Sequence, residues 1–122
     1  MTKILYVEDD RDIAQAVKII LTSINIEVDL ASCGKDAIKM AQNEYDLILL
    51  DVKLQDMTGW DIYEKLKKKH AKFAFLSIFP VPQKYREDVG KGKIVDYIFK
   101  PFIKDDLVNR LQKAIVKRPH RQ

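Results

Sequence analysis

Four consecutive apolar residues, Leu47-Ile48-Leu49-Leu50, run into a single carboxylate, Asp51. The run is too short for a helix and shows no polar alternation, which leaves a strand covered on both faces. A strand of that kind belongs inside a parallel sheet with helices packed above and below it. Two more stretches have the same form. Ile4-Leu5-Tyr6-Val7 ends in Glu8-Asp9-Asp10, and Tyr97-Ile98-Phe99 ends in Lys100-Pro101-Phe102. In open parallel sheets, chemistry sits in the crevice outside the carboxyl ends of the strands. The acidic and cationic residues at these three ends are therefore expected to converge on one site.

Strand and helix patterns alternate along the whole chain, so the expected architecture is α/β, one domain with a doubly wound, five-stranded parallel sheet and helices on both faces. The first strand covers about residues 3–8. Asp10 or Asp12 caps a helix whose apolar positions, Ile13, Ala16, Val17, Ile20, Leu21 and Ile24, keep helical spacing. Ile26-Glu27-Val28-Asp29-Leu30 alternates strictly and reads as a strand near an edge. Ser32 or Gly34 starts a second helix with Ala37, Ile38, Met40 and Ala41 inward. After Asp51 comes a loop, Val52 to Gly59, in which Gly59 is suited to a positive φ. Trp60 to Lys69 reads as a third helix and Phe73 to Ile78 as a fourth strand. Pro80 and Pro82 then break regularity, so the fourth helix, about residues 82–90, should be short and end at Gly90 and Gly92. A fifth strand over about 94–99 and an amphipathic helix from Lys104 to Val116 follow. The domain is expected at 1–117, with 118–122 a basic tail or linker stub.

Composition excludes several classes of function. The net charge of +4 is concentrated in Lys65, Lys67-Lys68-Lys69 and Lys72, and in the tail Lys117-Arg118-Pro119-His120-Arg121. No recognition helix, aromatic platform or zinc spacing accompanies that charge, so it reads as a solvated helix face and terminus, and nucleic acid is not an expected partner. No run approaches the roughly 18 apolar residues of a membrane span, so no membrane partner is expected. Met1-Thr2-Lys3 enters a strand at once, with no signal peptide in view. The single cysteine, Cys33, cannot form an internal disulfide, and both features suit a cytoplasmic location.

Carboxylates crowded at one sheet edge repel each other and call for a cation. Asp9, Asp10 and Asp51 offer oxygen ligands only, which suits a hard divalent ion, most simply Mg²⁺ holding several waters. His70 and His120 sit in basic, solvated contexts and are not expected to contribute. An Asp beside Mg²⁺ can act as a nucleophile toward a phosphoryl group and form an aspartyl-phosphate. The charge on the phosphoryl oxygens must then be neutralised. Mg²⁺ supplies one part, the Lys100 ammonium a second, and a hydroxyl at the end of the fourth strand, Ser77, a third. Pro101, next to Lys100, suggests a fixed turn, a cis bond included, that aims the lysine.

This set of residues resembles the response-regulator receiver domain of two-component signal transduction, over essentially the whole chain. The features that carry the likeness are Asp9-Asp10 after the first strand, Asp51 after the third, Gly59 eight positions later, and Lys100-Pro101-Phe102 after the fifth. The resemblance implies a flavodoxin-like receiver fold, with Asp51 as phosphoacceptor. It implies Mg²⁺ held by Asp9, Asp10, Asp51 and the backbone carbonyl of Lys53, with Lys100 paired to the phosphoryl group. Ser77 and Tyr97 would be the switch residues, Ser77 drawn toward the phosphate while Tyr97, otherwise a strand residue with an exposed hydroxyl, turns inward. The phosphodonor would be a histidine kinase or phosphotransfer protein. Output would be by contact with a downstream protein through the face of helix 4, strand 5 and helix 5. The chain would catalyse only its own aspartyl phosphorylation and dephosphorylation.

Three places depart from the family pattern. Leu54-Gln55 stands where a Met-Pro pair is usual, which should leave that loop less rigid. Ile78, where a small residue is usual, should narrow the path to the aspartate. Phe79-Pro80-Val81-Pro82 should stiffen the loop that normally moves, and Lys53 and Phe79 flank the site where the family tunes dephosphorylation. Ile78 and the stiff Pro80/Pro82 loop support an alternative, a pseudo-receiver that keeps the fold as a docking module with little or no phosphorylation. A phosphatase of the haloacid-dehalogenase type would want a second acid two residues after the nucleophile, where Lys53 stands. A dinucleotide or flavin binder would want a Gly-rich loop after the first strand, which is absent.

Overall fold

The computed structural model describes residues 1–70 and 72–117. The expected basic tail, 118–122, lies outside the described residues. Five strands form one all-parallel sheet in the order β2-β1-β3-β4-β5: β1 (Lys3–Val7), β2 (Glu27–Ala31), β3 (Leu47–Leu50), β4 (Phe73–Ser77) and β5 (Ile94–Phe99). The long helices are α1 (Arg11–Thr22), α2 (Gly34–Met40), α3 (Gly59–Leu66) and α5 (Lys104–Val116), with a single kinked turn, α4 (Asp88–Lys91), between β4 and β5. This is the doubly wound fold read from the sequence.

Alternation along the strands assigns each side chain to one of two cores. Ile4, Tyr6, Leu47, Leu49 and Leu76 face α1 and α5, where Val17, Leu21, Leu107 and Leu111 meet them. Leu5, Val7, Ile48, Leu50 and Phe75 face α2 and α3, meeting Ala37, Trp60, Ile62 and Leu66. All four residues of β3 are completely buried, so neither side of that strand can be polar. Burial of each such side chain contributes about 1.5–3 kcal/mol, which makes β3 the centre of both cores. The sheet order reverses beside β1, and the crevice opens there, outside the ends of β1 and β3.

Local chemistry sets the helix ends. The Asp10 carboxylate accepts from the N–H groups of Asp12 and Ile13 and caps α1. Thr58 and Asp61 form a reciprocal capping box at the start of α3. At the β4–β5 connection the sequence expectation of a short helix over 82–90 is only partly met. The chain makes a 3-10 turn over Gln83–Tyr85 and then the kinked α4, in which Val89 is extended and Gly90 has φ 79°. A second expectation fails at Gly59: the positive-φ positions among the described residues are Asn25 and Gly90. Gly59 is required for space instead, because a Cβ there would lie 2.1 Å from the Asp51 carbonyl oxygen.

Candidate functional site

The ladder between β1 and β3 places the end residues of the two strands side by side. The Asp51 N–H donates to Val7 O (3.0 Å) and the Glu8 N–H to Ala31 O (3.0 Å), so both carboxylates emerge at one edge. Carboxylate oxygens of Glu8, Asp9 and Asp51 lie within 4.8 Å of one another. Asp10 is outside this group and spends an oxygen on the α1 N-terminus. The acidic set is thus displaced by one residue from the sequence expectation of Asp9, Asp10 and Asp51. The strand ends at Val7, where its apolar run ends and one position short of the expected 3–8, and Glu8 turns inward with 3% exposure.

Lys100, at the end of β5, reaches both buried carboxylates. Its Nζ lies 2.5 Å from Glu8 Oε1 and 3.4 Å from Asp51 Oδ2. The Lys100 N–H donates to Ser77 O, fixing its place beside β4, and the Lys100–Pro101 peptide is cis. The Tyr6 hydroxyl, from the α1 side of the sheet, donates to Glu8 Oε1 (3.0 Å). The Val52 N–H donates to Asp51 Oδ1 (2.8 Å), leaving Asp51 Oδ2 toward the lysine. These groups line an open crevice of about 280 Å³, with Lys53, Ile78 and Phe79 on its rim.

Two carboxylates and one ammonium share this space, so the charges are unbalanced. Burial pushes the Asp51 carboxyl up to about 7, and Glu8 adds to the rise while Lys100 opposes it. For Glu8, burial acts upward but is overcome by hydrogen bonds from Lys100 and Asp51, which hold it below the usual carboxylate range. The two carboxyls titrate as a pair, with Asp51 raised toward neutral pH and Glu8 lowered. Burial first, and then the charge and hydrogen bond of Glu8, raise the Tyr6 phenol far above its ordinary value, so it serves as a fixed donor.

Ser77 is completely buried, and its Oγ accepts from the Phe79 N–H (3.0 Å). Tyr97 differs from the expectation of an exposed hydroxyl that turns inward later. Its ring is already inside, 5% exposed, and its hydroxyl donates to Phe79 O at 2.6 Å. The reason is a column of aromatic rings that the sequence reading left without a role. Trp60 stacks on Phe75 (4.1 Å between centroids) and on Tyr85 (4.3 Å), and Tyr97 stacks on Phe75 (5.6 Å). Ile78 is 65% exposed, so it stands at the mouth of the crevice rather than across it.

The family described as "Response regulator receiver domain" matches residues 4–112. The cell cycle response regulator CtrA of Brucella ovis is 35% identical over 120 residues, which is 95% of this chain and 50% of CtrA. The chain thus spans about half the length of the curated relatives it matches. Among solved structures, the non-phosphorylated HemR receiver domain of Leptospira biflexa superposes with a TM-score of 0.86 at 30% identity, covering 99% of this chain and all of that one. TrrA of Thermotoga maritima, determined in complex with Mg²⁺–BeF, gives a TM-score of 0.78 at 29% identity over 93% of this chain and 99% of its own. Among the described residues, no helix is long and apolar enough to cross a membrane. The fold and the span of the match agree: this chain belongs to the response-regulator receiver domains.

Proposed function

We propose that the domain is a phosphoacceptor switch that takes a phosphoryl group on Asp51 with Mg²⁺ and signals by protein contact. The observation that carries this reading is the approach of Lys100 and the clustered oxygens of Glu8, Asp9 and Asp51 to one crevice. The donor set fits a hard divalent cation: it is all oxygen, and it sets three carboxylates against one ammonium. Asp9, Asp51 and the Lys53 backbone carbonyl would hold the ion, with Glu8 in the place first given to Asp10. Bound there, Mg²⁺ would neutralise phosphoryl oxygens and favour the ionised form of Asp51. The similar TrrA, which carries Mg²⁺–BeF, supports that assignment.

In the transfer, an ionised Asp51 oxygen attacks phosphorus, the new O–P bond forming as the donor's bond to phosphorus breaks and the donor keeps that electron pair. Lys100 moves its ammonium from Glu8 toward the phosphoryl group, a shift for which it is placed at 3.4 Å from Asp51. Ser77 accepts from Phe79 and is fully buried, so its hydroxyl would have to move toward the crevice to meet a phosphoryl oxygen. The donor would be a histidine kinase or phosphotransfer protein, working in the cytoplasm. Output would run through the face of α4, β5 and α5, where Phe99 is 53% exposed.

One observation favours a second reading, a docking module whose output face is set without phosphate. Tyr97 is already packed inward, so the inward turn expected on phosphorylation has been made. Beryllofluoride with Mg²⁺ separates the two, read by Trp60 fluorescence. A switch responds when both are present, and Lys100→Ala keeps the response to Mg²⁺ while losing that to beryllofluoride. A docking module responds to neither. A Lys100→Ala variant indistinguishable from wild type removes the lysine from the mechanism.

A further inference from the structure

The loop between β3 and α3, residues 52–58, contributes the Lys53 carbonyl to the proposed cation site, yet it contains no proline to restrict its backbone. Both ends are nevertheless fixed. Lys53 and Thr58 form an antiparallel bridge, the Gly59 N–H donates to Val52 O (2.7 Å), and Leu54 is buried. The tip is tied to a different element. Asp56 Oδ1 accepts from the Gly34 N–H (2.8 Å) and Asp56 Oδ2 from the Lys35 N–H (2.9 Å), at the first turn of α2. The nominal cap of that helix, Cys33, makes no capping bond, so Asp56 is its cap from 21 residues away. Those two N–H groups hold the Asp56 carboxyl below its usual range. The adjacent Met57 lies flat on Gly34, where a Cβ would come within 2.3 Å of Met57 Cγ.

We infer that Asp56 is a positioning residue for the cation site: by clamping the loop tip to α2, it holds the Lys53 carbonyl in register with Asp9 and Asp51. The inference rests on the Mg²⁺ reading given above. The clamp is stereochemical, since the two carboxylate oxygens of Asp56 each take one of two adjacent N–H groups. The bridge ties Lys53 to Thr58 but not to α2, so freeing the tip lets the bridged pair shift together, carrying the carbonyl away from Asp9 and Asp51 and weakening the ion's binding.

The test titrates MgCl₂ into the whole chain, following Trp60 fluorescence, for wild type, Asp56→Ala, Asp56→Asn and Asp36→Ala. Asp36 is exposed in the first turn of α2, carries the same charge and takes no part in the clamp. Asp56→Ala is expected to weaken Mg²⁺ about tenfold. Asp56→Asn, which keeps one carbonyl oxygen, should fall between it and wild type, and Asp36→Ala should match wild type. In metal-free protein, amide exchange at Gly34 and Lys35 should quicken in Asp56→Ala. Three results overturn the inference: Asp56→Ala binding Mg²⁺ as wild type does, Asp36→Ala weakening it equally, or unchanged exchange at Gly34 and Lys35. Wild-type protein that takes no Mg²⁺ overturns the cation reading itself, and the positioning role with it.

Discussion

With the Asp51 carboxyl raised to about 7 by burial and by Glu8, the native protein holds a proton between about pH 4 and 7 that the unfolded chain has released. Native protein binds more protons in that window, so this group's contribution is complete below the ordinary aspartate range and is lost as pH rises to 7. Glu8 acts the other way, its depressed carboxyl adding stability above the ordinary glutamate range that is lost as pH falls. Asp51→Asn is therefore expected to stabilise the metal-free protein by up to about 4 kcal/mol at pH 8 and by little at pH 4, as urea unfolding would show. Mg²⁺ should reverse the order at pH 8 by stabilising only the wild type. Asp51 and Lys100 were legible from strand-end placement, but Glu8-Asp9-Asp10 offers three adjacent acids, and which of them face inward depends on where β1 stops. The backbone turn after Val7 decides it, and no residue type in that triplet signals the turn.

Elements show the same division between pattern and geometry. The periods of α1, α3 and α5 were clear because each buries an apolar face, and the alternation in β2 matched its edge position. Loops and short turns were less legible. Gly59 was identified as special, but for backbone freedom; the need is close approach to Asp51 O, a long-range contact. Gly90 carries the positive φ instead, with open space around its Cα. The two glycines should consequently differ in substitution. Gly59→Ala should cost about 2–3 kcal/mol in urea unfolding by overpacking the backbone behind the site, and Gly90→Ala about 1 kcal/mol through φ alone. Equal losses would mean that Gly59 has room the structure does not give it. The segment around α4 is held less by its own helix than by side chains, with Tyr85 stacked on Trp60 and the Tyr63 hydroxyl donating to Asp88. Sequence periodicity carries no sign of such a ring column, because its members come from α3, β4, β5 and the 3-10 turn.

For the whole molecule, the strand order places β1 and β3 adjacent at the centre, and that adjacency produces the site. Alternating strand and helix patterns made the order of the elements readable, and the wholly apolar β3 made its central position readable. The side-chain state of the switch was not, since Tyr97 inside or outside depends on packing among Trp60, Phe75 and Phe79 O. The central claim is that Asp51 accepts phosphate only with a divalent cation beside it. The direct measurement is the intact mass of the chain after acetyl phosphate, with MgCl₂ or with EDTA, for wild type and Asp51→Asn. One added phosphoryl group is expected, in wild type and only with Mg²⁺ present. No addition to wild type, or equal addition to Asp51→Asn, would contradict it.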